Sequence, residues 1–161
     1  MDILLTYITR RREWYHISWK GSEAKSGGLA MNIGIHFFDL LSWIFGLVEH
    51  SAVHLPHDDR MSGVLELQKA RVRWFLLVNG EDLPPETVKD GGYAYRNLTM
   101  DGEDIALSTG LEDLHTRVYE ESLAGNAFGI EDARPAIDLV YDVRTAEVIR
   151  PREEAHPKLN G

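Results

Sequence analysis

The 161-residue chain predicts an α+β domain, with an open, mostly antiparallel β-sheet and helices on one face. Three observations carry that prediction. Strand-like runs follow one another instead of alternating with helices, which is the pattern of an antiparallel sheet. Helical periodicity is confined to one segment near the start and two near the end. Hydrophobic residues make up 43% and charged residues 27% of the chain, enough apolar material for one core without staples. Residues 1–150 are therefore read as one domain, and 151–161, "PREEAHPKLNG", as a loose C-terminal tail.

Taken in order, Ile3 to Thr9 alternates and is β-branched, a strand that continues with interruption toward Trp19. The polar "KGSEAKSGG" is a loop. Leu29 to Phe45 is a strongly apolar helix stopped by Gly46. Val48 to Leu55, Gly63 to Leu67 and Val72 to Val78 are strands, the last two joined by a tight turn at Lys69 and Ala70. In "VRWFLLVN", Val72, Trp74, Leu76 and Val78 share one face, and Arg71, Arg73, Phe75 and Leu77 the other. "NGEDLPPETVKDGG" reads as a loop in which Pro84 and Pro85 exclude regular structure. "YAYRNLTMDGEDIALS" is a hairpin turning at Asp101-Gly102. Two helices follow: Leu111 to Ala124, with Leu111, Leu114, Val118 and Leu123 as its apolar stripe, and Ile130 to Val148, with Glu131 and Asp132 at its positive end. An open sheet face rich in Trp and Phe would suit self-association.

A formal charge of −9 disfavours nucleic acid and anionic membranes as partners. "ITRRREWYHISWK" is the local exception, placing Arg10, Arg11, Arg12 and Lys20 among aromatics. It fits a solvated edge or turn, or a site for a small anion. With no cysteine, disulfides and thiolate metal sites are excluded. No signal-like segment opens the chain, and the longest apolar run is interrupted by Gly34, His36, Asp39 and Ser42, which fits a cytoplasmic location. Neither G-x-G-x-x-G nor G-x-x-x-x-G-K-[ST] occurs, so the chain carries no recognisable cradle for a nucleotide phosphate.

The helix "SGGLAMNIGIHFFDLLSWIFG" poses the functional question. Asn32, His36 and Asp39 stand at i, i+4 and i+7, one face of a regular helix that Trp43 extends. The rest of its circumference is apolar, which predicts a largely buried helix. Three readings fit such a line: a buried hydrogen-bonded stripe, a metal site on His36 and Asp39, or a site in which His36 acts as general acid and base. Asn is a poor ligand and no second His lies nearby, so no metal is expected. His115 and Tyr119, one turn apart, are secondary candidates.

The ordered set "GGLAMNIGIHFFD", with Gly27, Gly28, Gly34, His36 and Asp39 in place, resembles the C-terminal-domain signature of the Gfo/Idh/MocA oxidoreductases. The family usually has Asp where this chain has Asn32. "TRRREWYHISWKG" and "LHTRVYEESLAGNAFGIEDARPAIDLVYDVRTA" extend the likeness to a branch acting on UDP-linked N-acetylglucosaminuronic acid, in surface polysaccharide and lipopolysaccharide biosynthesis. The resemblance implies an open-sheet α+β domain that follows a separate Rossmann domain, and no Rossmann domain in this chain. It implies an NAD-dependent dehydrogenase that oxidises the sugar 3-hydroxyl, with NAD held mainly by the other domain.

On this resemblance His36 is the catalytic residue, receiving the hydroxyl proton. Lys20, Asn32, Tyr15, Arg12 and Asp39 are the substrate-binding candidates. Asn32 in place of a carboxylate suits an acidic sugar, since two nearby carboxylates repel. Residues 1–150 become a substrate-binding and oligomerisation domain, inactive alone, that pairs with the Rossmann domain and forms homo-oligomers through the open sheet. The alternative from the same residues is a non-catalytic oligomerisation or sugar-nucleotide-binding module.

Overall fold

The computed structural model describes residues 1–11, 14–105, 107, 113–150 and 155–159. In chain order the elements are strand β1 (Asp2–Thr9), helical turns α1 (Trp14–Ile17) and α2 (Glu23–Ser26), helix α3 (Ile35–Phe45), strands β2 (Val48–Pro56), β3 (Arg60–Leu67) and β4 (Arg71–Leu77), short helix α4 (Pro85–Lys89), strands β5 (Ala94–Met100) and β6 (Glu103–Ile105), and helices α5 (Leu114–Leu123) and α6 (Ile130–Thr145). The six strands form one sheet in the order β2-β3-β4-β1-β5-β6. Only β1 and β4 pair in parallel; the other neighbours are antiparallel. The expected sheet class and the two hairpins are present.

Alternation sorts each strand onto two faces. Ile3, Leu5 and Tyr7 of β1, with Val72, Trp74 and Leu76 of β4, enter the core under α3 and α6. Phe38 of α3 is fully buried and meets the Trp74 ring edge-on at 5.4 Å. Leu139, Val140 and Val143 bring the apolar stripe of α6 onto the same core. Trp74 thus lies beneath α3. The outer face is not rich in Trp and Phe: it carries the Arg71–Glu66 and Arg73–Asp2 ion pairs and a smaller apolar cluster of Ile8, Phe75, Leu77 and Leu83.

Several expectations are corrected. β1 does not run on toward Trp19: the backbone breaks into α1 and a 3₁₀ turn over Trp19–Gly21. Pro85 does not exclude helix, because it opens α4 at the first helical position, where its missing N–H is needed by no acceptor. α5 begins at Leu114, and none of its residues is buried; Leu114, Val118 and Leu123 of its stripe are all exposed. α6 ends at Thr145, and Val148 instead bridges to Val53 at the edge of the sheet.

The end of the chain is also corrected. Residues 155–159 are not loose: Ala155 and His156 are buried, and His156 stacks on Phe75 with ring centroids 5.4 Å apart. His156 Nε2 lies 3.1 Å from Thr6 Oγ1, and the Lys158 N–H donates to Nδ1. A backbone N–H can only donate, so Nδ1 is unprotonated and the neutral ring carries its proton on Nε2. Burial first, then the Arg73 and Lys158 charges, push this imidazole down to about 4.

Candidate active site on the opening helix

The helix entered from Gly27-Gly28 does not begin as a regular α-helix. Ala30–Gly34 forms a π turn, in which the Ile35 N–H donates to Ala30 O, five residues back. The three polar residues expected on one line differ in exposure. Asn32 is half-buried and faces the 20–28 loop, while His36 and Asp39 are exposed and not hydrogen-bonded to each other. The helix is not largely buried either: Trp43 is 81% exposed.

Asn32 is the hub of the loop. Its Nδ2 lies 2.9 Å from Lys20 O, 2.8 Å from Ser26 Oγ and 2.8 Å from Gly28 O. Two of those three acceptors are carbonyls, so the amide nitrogen, not the oxygen, points at them. Ser26 Oγ also donates to Lys20 O at 2.8 Å. Gly27 and Gly28 both have positive φ, 82° and 63°, and a Cβ on Gly27 would lie 2.6 Å from Met31 Cβ. Glycine is needed there for both conformation and space.

Lys20 is exposed, with its Nζ 5.9 Å from the Trp19 ring centroid. It stands in a 3₁₀ turn, not on a strand, and is brought to α3 through its own carbonyl. Tyr15 is 3% exposed, beneath the Arg11 guanidinium at 5.9 Å from its ring centroid. Burial raises its phenol pKa against the opposing Arg11 charge. Arg12 lies outside the described residues. The structure thus joins Lys20 to Asn32, places His36 one turn further along, and leaves Asp39 on the exposed side of α3.

Arg96 was not singled out from the sequence. It stands over the Tyr7 ring at 5.5 Å, and Tyr7 packs on Phe37, the neighbour of His36, at 5.1 Å. The signal was readable: in Ala94, Arg96, Leu98, Met100 an exposed arginine occupies the helix-facing phase of an otherwise apolar strand face. An apolar groove of about 320 Å³ between α3 and β1, β5 and β6 is lined by Phe37, Leu40, Ile44, Met100 and Ile105, among others. It offers no polar group to orient a sugar and is not the substrate cleft. His115 and Tyr119 sit on exposed α5.

Residues 2–84 match the family described as "Oxidoreductase family, C-terminal alpha/beta domain". The chain belongs to the Gfo/Idh/MocA oxidoreductase family. Its C-terminal-domain fold is shared with two solved structures of the WlbA (WbpB) dehydrogenase from Thermus thermophilus, one in complex with NAD and alpha-ketoglutarate, the other with NAD and UDP-GlcNAcA. Each is 47% identical, with a TM-score of 0.90 over 98% of this chain and 51% of that one. The WlbA dehydrogenase from Bordetella pertussis, in complex with NADH and UDP-GlcNAcA, is 15% identical over 94% of this chain and 55% of its own length, with a TM-score of 0.61, and shares the fold. This Gfo/Idh/MocA chain spans about half the length of the solved relatives it matches.

The described residues do not fit NAD by themselves. β1 leads through Arg10 and Arg11 toward α1, without the glycine-rich strand-to-helix turn that lets a backbone approach a pyrophosphate. No helix among the described residues is long and apolar enough to cross a membrane.

Proposed function

We propose that this chain is the substrate-binding domain of an NAD-dependent dehydrogenase oxidising the 3-hydroxyl of a UDP-linked N-acetylglucosaminuronate, in surface polysaccharide biosynthesis in the cytoplasm. The carrying observation is the 47% identity over 98% of the chain to a dehydrogenase solved with NAD and UDP-GlcNAcA. It is supported by the geometry around α3: an exposed imidazole at His36, Lys20 in a loop whose backbone is tied to Asn32, and a second cation at Arg96 over Tyr7.

Oxidising a secondary alcohol takes a hydride from carbon and a proton from oxygen. NAD would supply the hydride acceptor when bound by a nucleotide-binding domain, and the described residues would hold only the substrate side. His36 accepts the proton, a role suited to an exposed imidazole that can hold and release one. Lys20 and Arg12 meet the carboxylate or diphosphate, Tyr15 lies under the basic loop, and Asp39 stands on the next turn from His36 as a further substrate-binding group. Asn32 has its amide nitrogen engaged within the chain and serves the substrate through the loop it holds. The chain alone is inactive, because the hydride acceptor has no cradle here.

The test is NADH formation by the full-length enzyme with UDP-N-acetylglucosaminuronate. His36→Ala is expected to cut turnover about 10²–10⁴-fold. Turnover equal to the parent would remove His36 from the chemistry. Self-association through the outer sheet face belongs to the same proposal, and a monomeric mass for the full-length protein in solution would refute it.

A further inference from the structure

Asn32 does its work on the polypeptide. Its amide nitrogen spans three acceptors on one short loop: the Lys20 carbonyl, the Ser26 hydroxyl and the Gly28 carbonyl. Ser26 closes the triangle by donating to the same Lys20 carbonyl, which therefore receives two hydrogen bonds. The loop is held from a second side by α6, where Arg144 Nη2 donates to Glu23 O at 3.3 Å and Nε lies 3.7 Å from the Glu23 carboxylate. Asn32 lies within the π turn and is half-buried against this loop, whereas His36 is exposed. Lys20 is a long side chain on an exposed 3₁₀ turn, and its N–H also donates to the Ser18 hydroxyl at 3.3 Å.

We infer that Asn32 is a positioning residue for substrate specificity: with Ser26 it latches the 20–28 loop to the turn that opens α3 and so sets where the Lys20 ammonium stands. The anionic part of the sugar nucleotide meets Lys20, and the latch decides whether that cation is in place. A carboxylate at position 32 could not serve, because Asp would turn lone pairs toward two carbonyl oxygens and repel them. The side chain that makes this loop an anion site is thus an amide because it must donate to backbone, independent of any repulsion with the substrate. This inference rests on the sugar-nucleotide reading above.

The experiment uses the full-length enzyme in two measurements. The first is hydrogen exchange across residues 18–28 without substrate, for the parent, Asn32→Asp and Ser26→Ala. A latch predicts exchange at least about tenfold faster in Asn32→Asp and an intermediate effect in Ser26→Ala, with α6 unchanged. Parent-like exchange in Asn32→Asp would overturn the latch whatever the substrate is.

The second is a double-mutant cycle on KM for UDP-N-acetylglucosaminuronate with Asn32→Ala and Lys20→Ala. Each single variant is expected to raise that KM about tenfold or more, with kcat within about threefold and KM for NAD unchanged. The double variant should be no worse than the poorer single one, because both act through one cation. Multiplying effects would show that Asn32 touches substrate independently and would overturn the positioning role. Loss of the substrate reading itself would appear differently, as no turnover of this sugar nucleotide by the parent, while the exchange result still decides the latch.

Discussion

Lowering the pH from 7 to 5 is expected to loosen residues 155–159 from the outer sheet face, through His156. The ring is 1% exposed, stacked on Phe75, and accepts the Lys158 N–H at Nδ1. Protonation would set an N–H against an N–H and add a charge beside Arg73 and Lys158. The docked ring titrates at about 4 against the ordinary 6.5 once released. A group whose folded value is depressed binds its proton more readily when released. Its contribution is therefore complete above about 6.5 and is lost as the pH falls toward 4, about 2 kcal/mol of it by pH 5. That corresponds to an opening equilibrium raised roughly 30-fold. The Lys158 and Leu159 amides, both bonded to His156, are the reporters by hydrogen exchange corrected for intrinsic rate. His156→Gln, which cannot titrate, supplies the control. An equal pH dependence in parent and His156→Gln would refute the reasoning.

Four further outcomes are expected. Gly63→Ala should destabilise the domain by about 2–3 kcal/mol in urea unfolding, because a Cβ there would press on the Ala52 carbonyl and come within 2.7 Å of Trp74 Cζ2; a change below about 0.5 kcal/mol would contradict that packing. Phe38→Ala, which empties a fully buried site against Trp74, should cost about 3–5 kcal/mol by the same measurement. Arg96→Gln in the full-length enzyme should raise KM for the sugar nucleotide while leaving the melting temperature close to the parent, since the guanidinium is exposed and only caps Tyr7. The isolated chain should form no NADH with NAD and the sugar nucleotide, and spectrophotometry of the purified domain checks this.

Where local pattern and burial agree, the residues declared their structure. Val72, Trp74, Leu76 and Val78 alternate because every second residue of β4 lies under α3, and the tight β3–β4 turn follows from its length. The Gly27–Asp39 signature was readable as a family mark because its order is specific, and residues 2–84 match that family. Asn32 was not readable in the same way. Its partners at 20, 26 and 28 lie upstream in a loop with no period, and a π turn leaves no trace in a wheel drawn at 100° per residue. The stretch "WYHISWK", Trp14 to Lys20, follows closely on a strand, yet it folds into short helical turns.

Composition and periodicity therefore decided the class of fold, the run of strands and the helix that bears His36. These are local matters of side-chain phase and backbone preference, repeated often enough to survive without context. Contacts across the chain decided the rest. Thr6 and His156 are 150 residues apart, and Lys20 is joined to Asn32 by its carbonyl, a group that every residue has and no residue type announces. Hydrogen bonds to backbone carry no signature in the identity of the acceptor, so which loop is latched, and which cation it carries, appears only once the chain has closed on itself.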